Sequence, residues 1–255
     1  MGKIINLSNY SIVLLSAGTG RRLGALGKKY PKCLLKINNK TLIELLIKNL
    51  KKRNAKSISI IVGYRSKMLI KFLKKLKLKG IKMNFIKIKG YKKNGHSYSW
   101  FLYKDHWIKE KKPLILLHTD IFFDPIYLDN ILKSKKSNII GVKCKKNHIF
   151  KKKSLVVEVN KKNQIRKINH LSKIAKPQGE IIGVNKFSVR TTKNIFNFMD
   201  NFFKNKRKFL SWENLIDHYI KKTNDSIFIL KNQDYPWINI NTVEDYFEAK
   251  TLKIN

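Results

Sequence analysis

Acidic residues are scarce in this sequence. It contains 16 Asp and Glu residues against 56 Lys and Arg residues, which gives a formal net charge of +40 at pH 7. Such a balance is typical of proteins that meet nucleic acid or another anionic surface. Most of the basic residues, however, are lysines spread along the chain, and arginine, the residue that most often reads base edges, is used little. We therefore interpret the charge as a compositional bias and predict no specific nucleic-acid partner.

Cysteines and long apolar runs are scarce too. The two cysteines, Cys33 and Cys144, lie in or beside apolar runs, which predicts buried thiols and not a disulfide framework. No uninterrupted apolar run reaches the length of a membrane-spanning helix, and no signal peptide with a small-residue cleavage site is found. These absences predict a cytoplasmic protein without membrane insertion.

The length and the apolar content bound the fold. The chain has 255 residues, of which 43% are hydrophobic, and this is enough for a single domain, residues 1–255, with a sizeable core. Strand and helix patterns alternate in the first third of the chain, which is typical of a parallel sheet covered by helices. The predicted fold class is α/β, a Rossmann-like three-layer sandwich with a mostly parallel mixed central sheet and a small β-ribbon. The predicted strands of the first third are 12–15, 57–62 and 82–88, its predicted helices are 40–54 and 66–78, and the ribbon comprises 139–142, 154–159 and 164–168.

A loop of small residues follows the first predicted strand. Residues 16–20 read Ser-Ala-Gly-Thr-Gly, and small residues let a backbone approach a ligand so that its N–H groups can line an anion. Arg22 and, behind Pro31, Lys32 add cations beside this loop. The loop is neither a Walker motif nor a dinucleotide fingerprint, because Gly-Lys-Ser/Thr and a third glycine three residues after Gly20 are both missing. The pattern predicts a nucleotide-sized phosphate site at the end of the first strand.

This motif resembles the signature of the nucleotidyltransferases that join an NTP to a sugar phosphate or a small phosphorylated alcohol. The family pattern is Leu-Ala-Ala-Gly-x-Gly-x-Arg-Leu followed by Pro-Lys-x-Leu, and Gly18, Gly20, Arg22 and Lys32 match it, while Ser16 replaces the usual first alanine. The resemblance implies that Arg22 and the loop amides hold the β and γ phosphates. It also implies that Lys32 is catalytic, near the α-phosphate.

Two further loops are expected at the same edge of the sheet, because parallel sheets bind ligands at the carboxyl ends of their strands. The strand over 57–62 ends in Gly63-Tyr64, and residues 91–100 form a polar loop that leads into a helix with Ser97 as a predicted N-cap. In the family, the second loop contacts the nucleotide base, although an ordinary helix cap is the alternative. The predicted nucleotide-binding residues are Ser16, Ala17, Gly18, Thr19, Gly20, Arg22, Gly63, Tyr64, His96 and Ser97.

Two segments predict a magnesium site. An apolar strand over 113–117 is followed by His-Thr-Asp120, and a carboxylate at such a strand end can hold Mg²⁺ together with phosphate oxygens. Residues 237–245 resemble the family pattern Trp-x-Glu-Ile-Asp-Thr-x-Glu-Asp, with Asn239 and Asn241 in place of the two acidic residues before the threonine. The resemblance implies Asp120 and Asn241 as metal ligands and Mg²⁺ as cofactor. Asn241 brings an amide oxygen without charge, which predicts weaker binding; a capping role is the alternative for Asp120.

The acceptor side is predicted from a third match. Residues 179–188 resemble the family strand Gly-Glu-x-x-Gly-x-x-x-Phe-Ser that borders the acceptor pocket. The predicted acceptor-binding residues are Glu180, Gly183, Glu213 and Trp237. Trp100, Trp212 and Trp237 could also form an aromatic cage for a quaternary ammonium group. Aromatic residues are more often part of the core, so we favour ordinary core packing.

The expected activity is transfer of a nucleotidyl group, preferably cytidylyl from CTP, to a small phosphorylated amino alcohol or an aminoalkylphosphonate. A sugar-1-phosphate nucleotidyltransferase that uses CTP, UTP or GTP is the second hypothesis. Because Asn241 breaks the pair of acidic metal ligands, a nucleotide-binding pseudo-enzyme is a third hypothesis, from a different class. The sequence leaves the oligomeric state open, a homodimer included.

Overall fold

The first predicted strand lies at the centre of the sheet. In the computed structural model, which describes residues 6–90, 95–144, 150, 151, 153–204, 210–232 and 234–254, it forms β1. The strands are β1 Ser11–Ser16, β2 Lys36–Ile37, β3 Lys40–Thr41, β4 Ser57–Val62, β5 Lys82–Lys87, β6 Leu114–His118, β7 Ile121–Phe123, β8 Ile139–Lys143, β9 Leu155–Val159, β10 Ile165–His170, β11 Gly179–Phe187, β12 Phe228–Asn232 and β13 Trp237–Asn239. The helices are α1 Gly24–Lys29, α2 Leu42–Lys52, α3 Ser66–Lys75, α4 His96–Phe101, α5 Lys104–Glu110, α6 Ile126–Lys133, α7 Val189–Lys204, α8 Trp212–Lys222 and α9 Val243–Thr251.

Nine strands form the main sheet in the order β10-β9-β11-β6-β1-β4-β5, with β8 paired to β11 and β12 paired to β8. Strand β1 runs parallel to both β4 and β6, and β4 runs parallel to β5. Strand β11 is antiparallel to β6, and the β9–β10 hairpin extends this antiparallel side. The predicted α/β class and the mixed central sheet are therefore confirmed.

The alternating directions of the side chains along β1 explain why helices cover both faces of the sheet. Ile12 and Leu14 belong to a core cluster that also contains apolar residues of α2, α3 and α6. Val13 belongs to a second cluster on the opposite face, with residues of α4, α7 and α8. Successive side chains of a strand point to opposite faces, so an uninterrupted apolar strand requires apolar cover on both. Among the described residues, no helix combines the length and the apolar character needed to cross a bilayer.

Helix starts match the sequence where a side chain caps them. Thr41 accepts a hydrogen bond from the backbone N–H of Glu44 and starts α2 at Leu42. Ser97 was predicted to cap the helix after the 91–100 loop, and this prediction is wrong. Helix α4 begins two residues earlier than a Ser97 cap implies, with Gly95 as its N-cap, and the fully buried Ser97 donates its hydroxyl to the carbonyl of Leu210 at 2.8 Å. Residues 91–94 of this loop lie outside the described residues.

The pairing register of β11 with β8 shifts between Ile181 and Asn185. Gly183 lies within this irregularity with φ of +90°, a conformation that residues with a Cβ rarely adopt. A Cβ atom there would lie 2.8 Å from Cγ of His118, at the end of β6. Glycine thus lets β11 press its backbone against the His118 ring.

Gly183→Ala tests this close approach, and Gly80→Ala is the matched control, because Gly80 has φ of +81° but a Cβ added there would meet nothing within 4 Å. Both variants should lose about 1–2 kcal/mol of unfolding free energy through backbone strain. Only Gly183→Ala should lose a further ~1–3 kcal/mol through overpacking. Urea unfolding of the two variants checks the difference, and equal losses would show that His118 is not in tight contact.

Candidate nucleotide-binding site

A cavity opens at the carboxyl ends of β1 and β6, the position at which parallel sheets bind ligands. Loop, turn, strand and helix all contribute side chains to its wall. The lining consists of residues 15–18 after and within β1, Lys32 and Cys33 behind Pro31, residues 118–120 at the end of β6, and His96 and Ser99 of α4. Three separate predictions, the small-residue loop, Lys32 and Asp120, therefore meet in one place.

The small-residue loop is tied to the neighbouring strand. The hydroxyl of Ser16 donates to Thr119 Oγ1 at 3.0 Å, and Thr119 donates to the carbonyl of Leu15 at 3.0 Å. Gly18 is exposed, and a Cβ added to it would meet nothing within 4 Å. The loop is thus held at its base by hydroxyl groups and has an open backbone at its tip, where an anion can approach the amides.

Gly63 and Tyr64 support this loop from behind, and they are not among the residues that line the cavity. A Cβ on Gly63 would lie 2.9 Å from the Ala17 carbonyl oxygen, so only glycine permits this approach. The backbone N–H of Tyr64 donates to the same oxygen at 3.3 Å. These contacts show that Gly63 and Tyr64 fix the position of the loop backbone at Ala17.

Gly20 ends the loop as a buried residue, and Arg22 follows it at the surface. Gly20 has φ of +63° and precedes the short 3-10 turn Arg21–Leu23. Arg22 is exposed, and within the described part of the chain its guanidinium makes no hydrogen bond or ion pair. Thr19, which precedes Gly20, is half-buried. Arg22 is therefore available to an anionic ligand that extends from the loop, although it does not line the cavity.

The ammonium group of Lys32 lies between two oxygen atoms at the floor of the cavity. It donates to Asp120 Oδ2 at 2.9 Å and to Asn241 Oδ1 at 2.7 Å. Burial raises the pKa of Asp120, but the Lys32 ammonium, with smaller contributions from His118 and His96, outweighs burial and lowers the pKa to about 2. Asp120 is therefore ionised at every pH at which the protein would be studied.

Backbone pairing brings Asn241 to Asp120 across the chain. Strand β13 is antiparallel to β7, and beyond it the N–H of Ile240 donates to the carbonyl of Asp120 at 2.8 Å. Asp245 closes a capping box with Thr242 at the start of α9 and accepts the backbone N–H of Asn241 at 2.8 Å. The preceding Asn239 has a buried Oδ1 without a hydrogen-bond partner among the described residues.

The oxygen pair of Asp120 and Asn241 is the candidate metal centre. Within the described ranges, no group of three or more His, Cys, Asp and Glu side chains could hold a metal ion. A metal here would have one carboxylate and one amide from the protein. Magnesium tolerates such a donor set when substrate phosphates supply further ligands.

A second polar cluster adjoins Asp120 and was not anticipated from the sequence. The indole N–H of Trp212 donates to Nε2 of His118 at 2.6 Å, and Oε1 of Glu213 lies 3.8 Å from the same nitrogen. Burial lowers the pKa of His118 to about 4, against the opposing effect of Asp120. Burial likewise raises the pKa of Glu213 to about 7. His118 is therefore neutral at pH 7.

The predicted acceptor-binding residues lie in different settings. Glu180 accepts a hydrogen bond from Ser154 at 2.7 Å, and the indole N–H of Trp237 donates to the Ile182 carbonyl at 3.2 Å. Gly183 does not line the cavity itself, but it contacts His118, which does. Trp100 and Trp212 are fully buried in a cluster with Phe187 and Phe196, which is core packing, so the three-tryptophan cage is wrong.

Comparisons with known proteins bear on the fold and the family of this chain. The chain is 31% identical over 133 residues to CTP:phosphoglutamine cytidylyltransferase of Campylobacter jejuni, a match that covers 51% of each chain. The matched region thus spans about half the length of that relative. The structure resembles CTP:phosphocholine cytidylyltransferase from Streptococcus pneumoniae, with a TM-score of 0.76, 21% identity and coverage of 95% of this chain and 98% of the other.

It also resembles the inositol-1-phosphate CTP transferase from T. maritima, with a TM-score of 0.78, 18% identity and coverage of 97% and 98%. At such identities these two likenesses establish the fold. The fold expected from the loop signature is confirmed by both. Residues 28–253 match a family described as a domain of unknown function, DUF6564, and the chain belongs to that family.

Proposed function

We propose that this protein is a nucleotidyltransferase that transfers a cytidylyl group from CTP to a small phosphorylated or phosphonate acceptor and releases pyrophosphate. The observation that carries the proposal is the position of Lys32, whose ammonium lies at the floor of the cavity between Asp120 and Asn241. The cation stands beside a loop that can bind phosphate. The names of the curated relative and of the two solved structures favour CTP among the nucleotides.

The reaction requires two anions to meet. An oxygen of the acceptor phosphate forms a bond to the α-phosphorus, while the bond from that phosphorus to the bridging oxygen breaks and pyrophosphate leaves with the electron pair. The nucleophile is already ionised at pH 7, so no general base is needed. The protein must position the two substrates and offset their charge.

The residues of the cavity divide this task. The amides of the loop around Gly18 and the exposed guanidinium of Arg22 hold the β and γ phosphates. Lys32 contacts the α-phosphate and stabilises the negative charge that develops there. The hydrogen bonds that hold Lys32 in the free protein, to Asp120 and Asn241, keep its ammonium at the level of the reacting atoms.

Magnesium fits the oxygen pair. The two oxygens already share one cation, the Lys32 ammonium, and Mg²⁺ prefers one or two carboxylates with phosphate oxygens. Asp120 and Asn241 would hold the ion, which supplies charge neutralisation between nucleotide and acceptor. Asn241 contributes no charge, so the nucleotide must contribute more of the affinity.

A buried carboxyl, that of Glu213, lies beside His118. Glu213 is 4% exposed, and its Oε2 has no hydrogen-bond partner within the described residues. An acceptor that carries an ammonium group would pair with this carboxyl and favour its ionised form. This feature favours phosphorylated amines or aminoalkylphosphonates over sugar phosphates as acceptors.

Pyrophosphate release tests the proposal. CTP, UTP, GTP and ATP are each combined with Mg²⁺ and with phosphocholine, 2-aminoethylphosphonate, phosphorylated glutamine and several sugar 1-phosphates. We expect release with CTP and a phosphorylated amine. Pyrophosphate release only with a sugar 1-phosphate would show that the acceptor is a sugar phosphate and not a phosphorylated amine. Nucleotide binding without pyrophosphate release from any pair of substrates would identify a pseudo-enzyme.

Lys32→Ala should lower the turnover number about 10²- to 10³-fold, since one charge-stabilising donor is lost from the reacting centre. Lys74→Ala, an exposed lysine of α3, is the matched control and should keep the wild-type rate. Steady-state pyrophosphate release measures both variants. Full activity of Lys32→Ala would contradict the role of this residue.

Glu213→Gln should change stability in a pH-dependent manner. Because folding raises the pKa of Glu213 from 4.5 to about 7, its stabilising effect is fully present below pH 4.5 and is lost as the pH rises through 7. The variant should therefore match the wild type at pH 4.5 and exceed it by up to about 3 kcal/mol at pH 8.

Urea unfolding at the two pH values measures this difference. Asp105→Asn, an exposed acidic residue of α5, is the control and should show no such gain. An equal effect of Glu213→Gln at both pH values would mean that the carboxyl is not kept neutral by burial.

A further inference from the structure

His118 lines the cavity beside Asp120, and the proposed reaction assigns it no role. Its Nε2 accepts the indole N–H of Trp212 at 2.6 Å. An indole nitrogen can only donate a hydrogen bond, so Nε2 must present its lone pair, and the proton of the neutral ring lies on Nδ1. Trp212 therefore selects one of the two tautomers of His118.

The orientation of the ring is fixed as well. Gly183 presses against one side, where a Cβ would lie 2.8 Å from Cγ of the imidazole. The Trp212 ring meets the imidazole edge to face, with centroids 5.7 Å apart. Two neighbours on different elements, β11 and α8, thus leave the ring little rotation. A side chain held in one rotamer and one tautomer is prepared for a directed hydrogen bond.

The Nδ1–H group is directed to the reacting side of the cavity. Nδ1 lies 3.8 Å from Asp120 Oδ1, which exceeds hydrogen-bond length. The other carboxylate oxygen of Asp120 accepts from Lys32 at 2.9 Å. Within the described residues, Nδ1 has no hydrogen-bond acceptor at normal distance. The donor can therefore serve a ligand oxygen that lies next to Asp120.

The position of β6 in the sheet indicates which substrate supplies this ligand oxygen. Strand β6 lies between β1, which carries the phosphate loop, and β11. Thr119 reaches toward β1 and bonds Ser16, whereas His118 contacts Gly183 of β11. The His118 ring thus borders the cavity beside β11, whereas the Thr119 side chain faces the loop after β1.

We propose that His118 is a specificity-determining residue, which donates a hydrogen bond from Nδ1 to an anionic oxygen of the phosphoryl acceptor and is held for this task by Trp212 and Gly183. The inference rests on the proposed nucleotidyl transfer. No proton is transferred: the hydrogen bond orients the acceptor so that another of its oxygens faces the α-phosphorus. Because the ring is neutral, it adds a donor without repelling Lys32.

Two substitutions distinguish the contributions of the two ring nitrogens of His118. The amide of His118→Asn can place a donor near the position of Nδ1, whereas that of His118→Gln reaches the position of Nε2. We expect His118→Gln to raise the KM of the acceptor about 10- to 100-fold, the effect of losing a hydrogen bond to a charged group, with the KM of CTP unchanged. His118→Asn should stay within a few-fold of the wild type. His106→Gln, an exposed histidine of α5, is the matched control.

A normal acceptor KM in His118→Gln, or an equal rise in the KM of CTP, would overturn the proposal while the transferase activity itself stands. Absence of pyrophosphate release from the wild type would instead remove the proposed function. Nitrogen-15 NMR of the free protein gives a readout that does not depend on turnover. The His118 signals should show the Nδ1–H tautomer in the wild type and a mixture of tautomers in Trp212→Phe. An Nε2–H tautomer in the wild type would overturn the proposal.

Discussion

The hydrogen bonds of the Lys32 ammonium join three distant parts of the chain. Lys32 follows Pro31 in the turn after α1, Asp120 follows β6, and Asn241 follows β13. A partly buried ammonium requires oxygen partners, and an ionised carboxylate at the floor of a cavity requires a cation. Each group thus depends on the others, and their contacts hold the three segments together.

This arrangement also shows what distinguishes the cavity in so basic a protein. With 56 basic and 16 acidic residues, positive charge is available everywhere and cannot by itself mark a site. The few acidic residues distinguish the cavity, since Asp120 balances Lys32 and Glu213 lies behind His118. The two carboxyls differ, because Asp120 is ionised beside Lys32, whereas burial raises the pKa of Glu213 to about 7.

The parts of the site that could be predicted from the sequence are local in the chain. The loop at residues 16–20 and Lys32 lie close together in sequence, and their residue types reveal their chemistry directly. Asp120 and Asn241 could be paired only because each belongs to a segment that resembles a known family pattern. His118 escaped prediction since its role depends on Trp212, 94 residues away along the chain. No periodicity or spacing encodes such a contact.

The Ser97 cap and the tryptophan cage also fail because contacts between distant residues decide them. Ser97 has the residue type of a helix cap, but the contact of Gly95 with the Leu210 backbone sets where α4 begins. Trp100 and Trp212 have the residue type of an ammonium cage, but both faces of the sheet need large apolar cover, and burial in that layer takes precedence. Residue type predicts which contacts a side chain can make, whereas packing determines which of these contacts the fold allows.

A crystal structure of the complex with CTP and Mg²⁺ tests the central claim most directly. The account predicts that the triphosphate lies along residues 16–20 and that the Lys32 ammonium exchanges an oxygen of Asp120 or Asn241 for an oxygen of the α-phosphate at about 3 Å. CTP bound elsewhere, or Lys32 unchanged between Asp120 and Asn241 with no phosphate in contact, would contradict it.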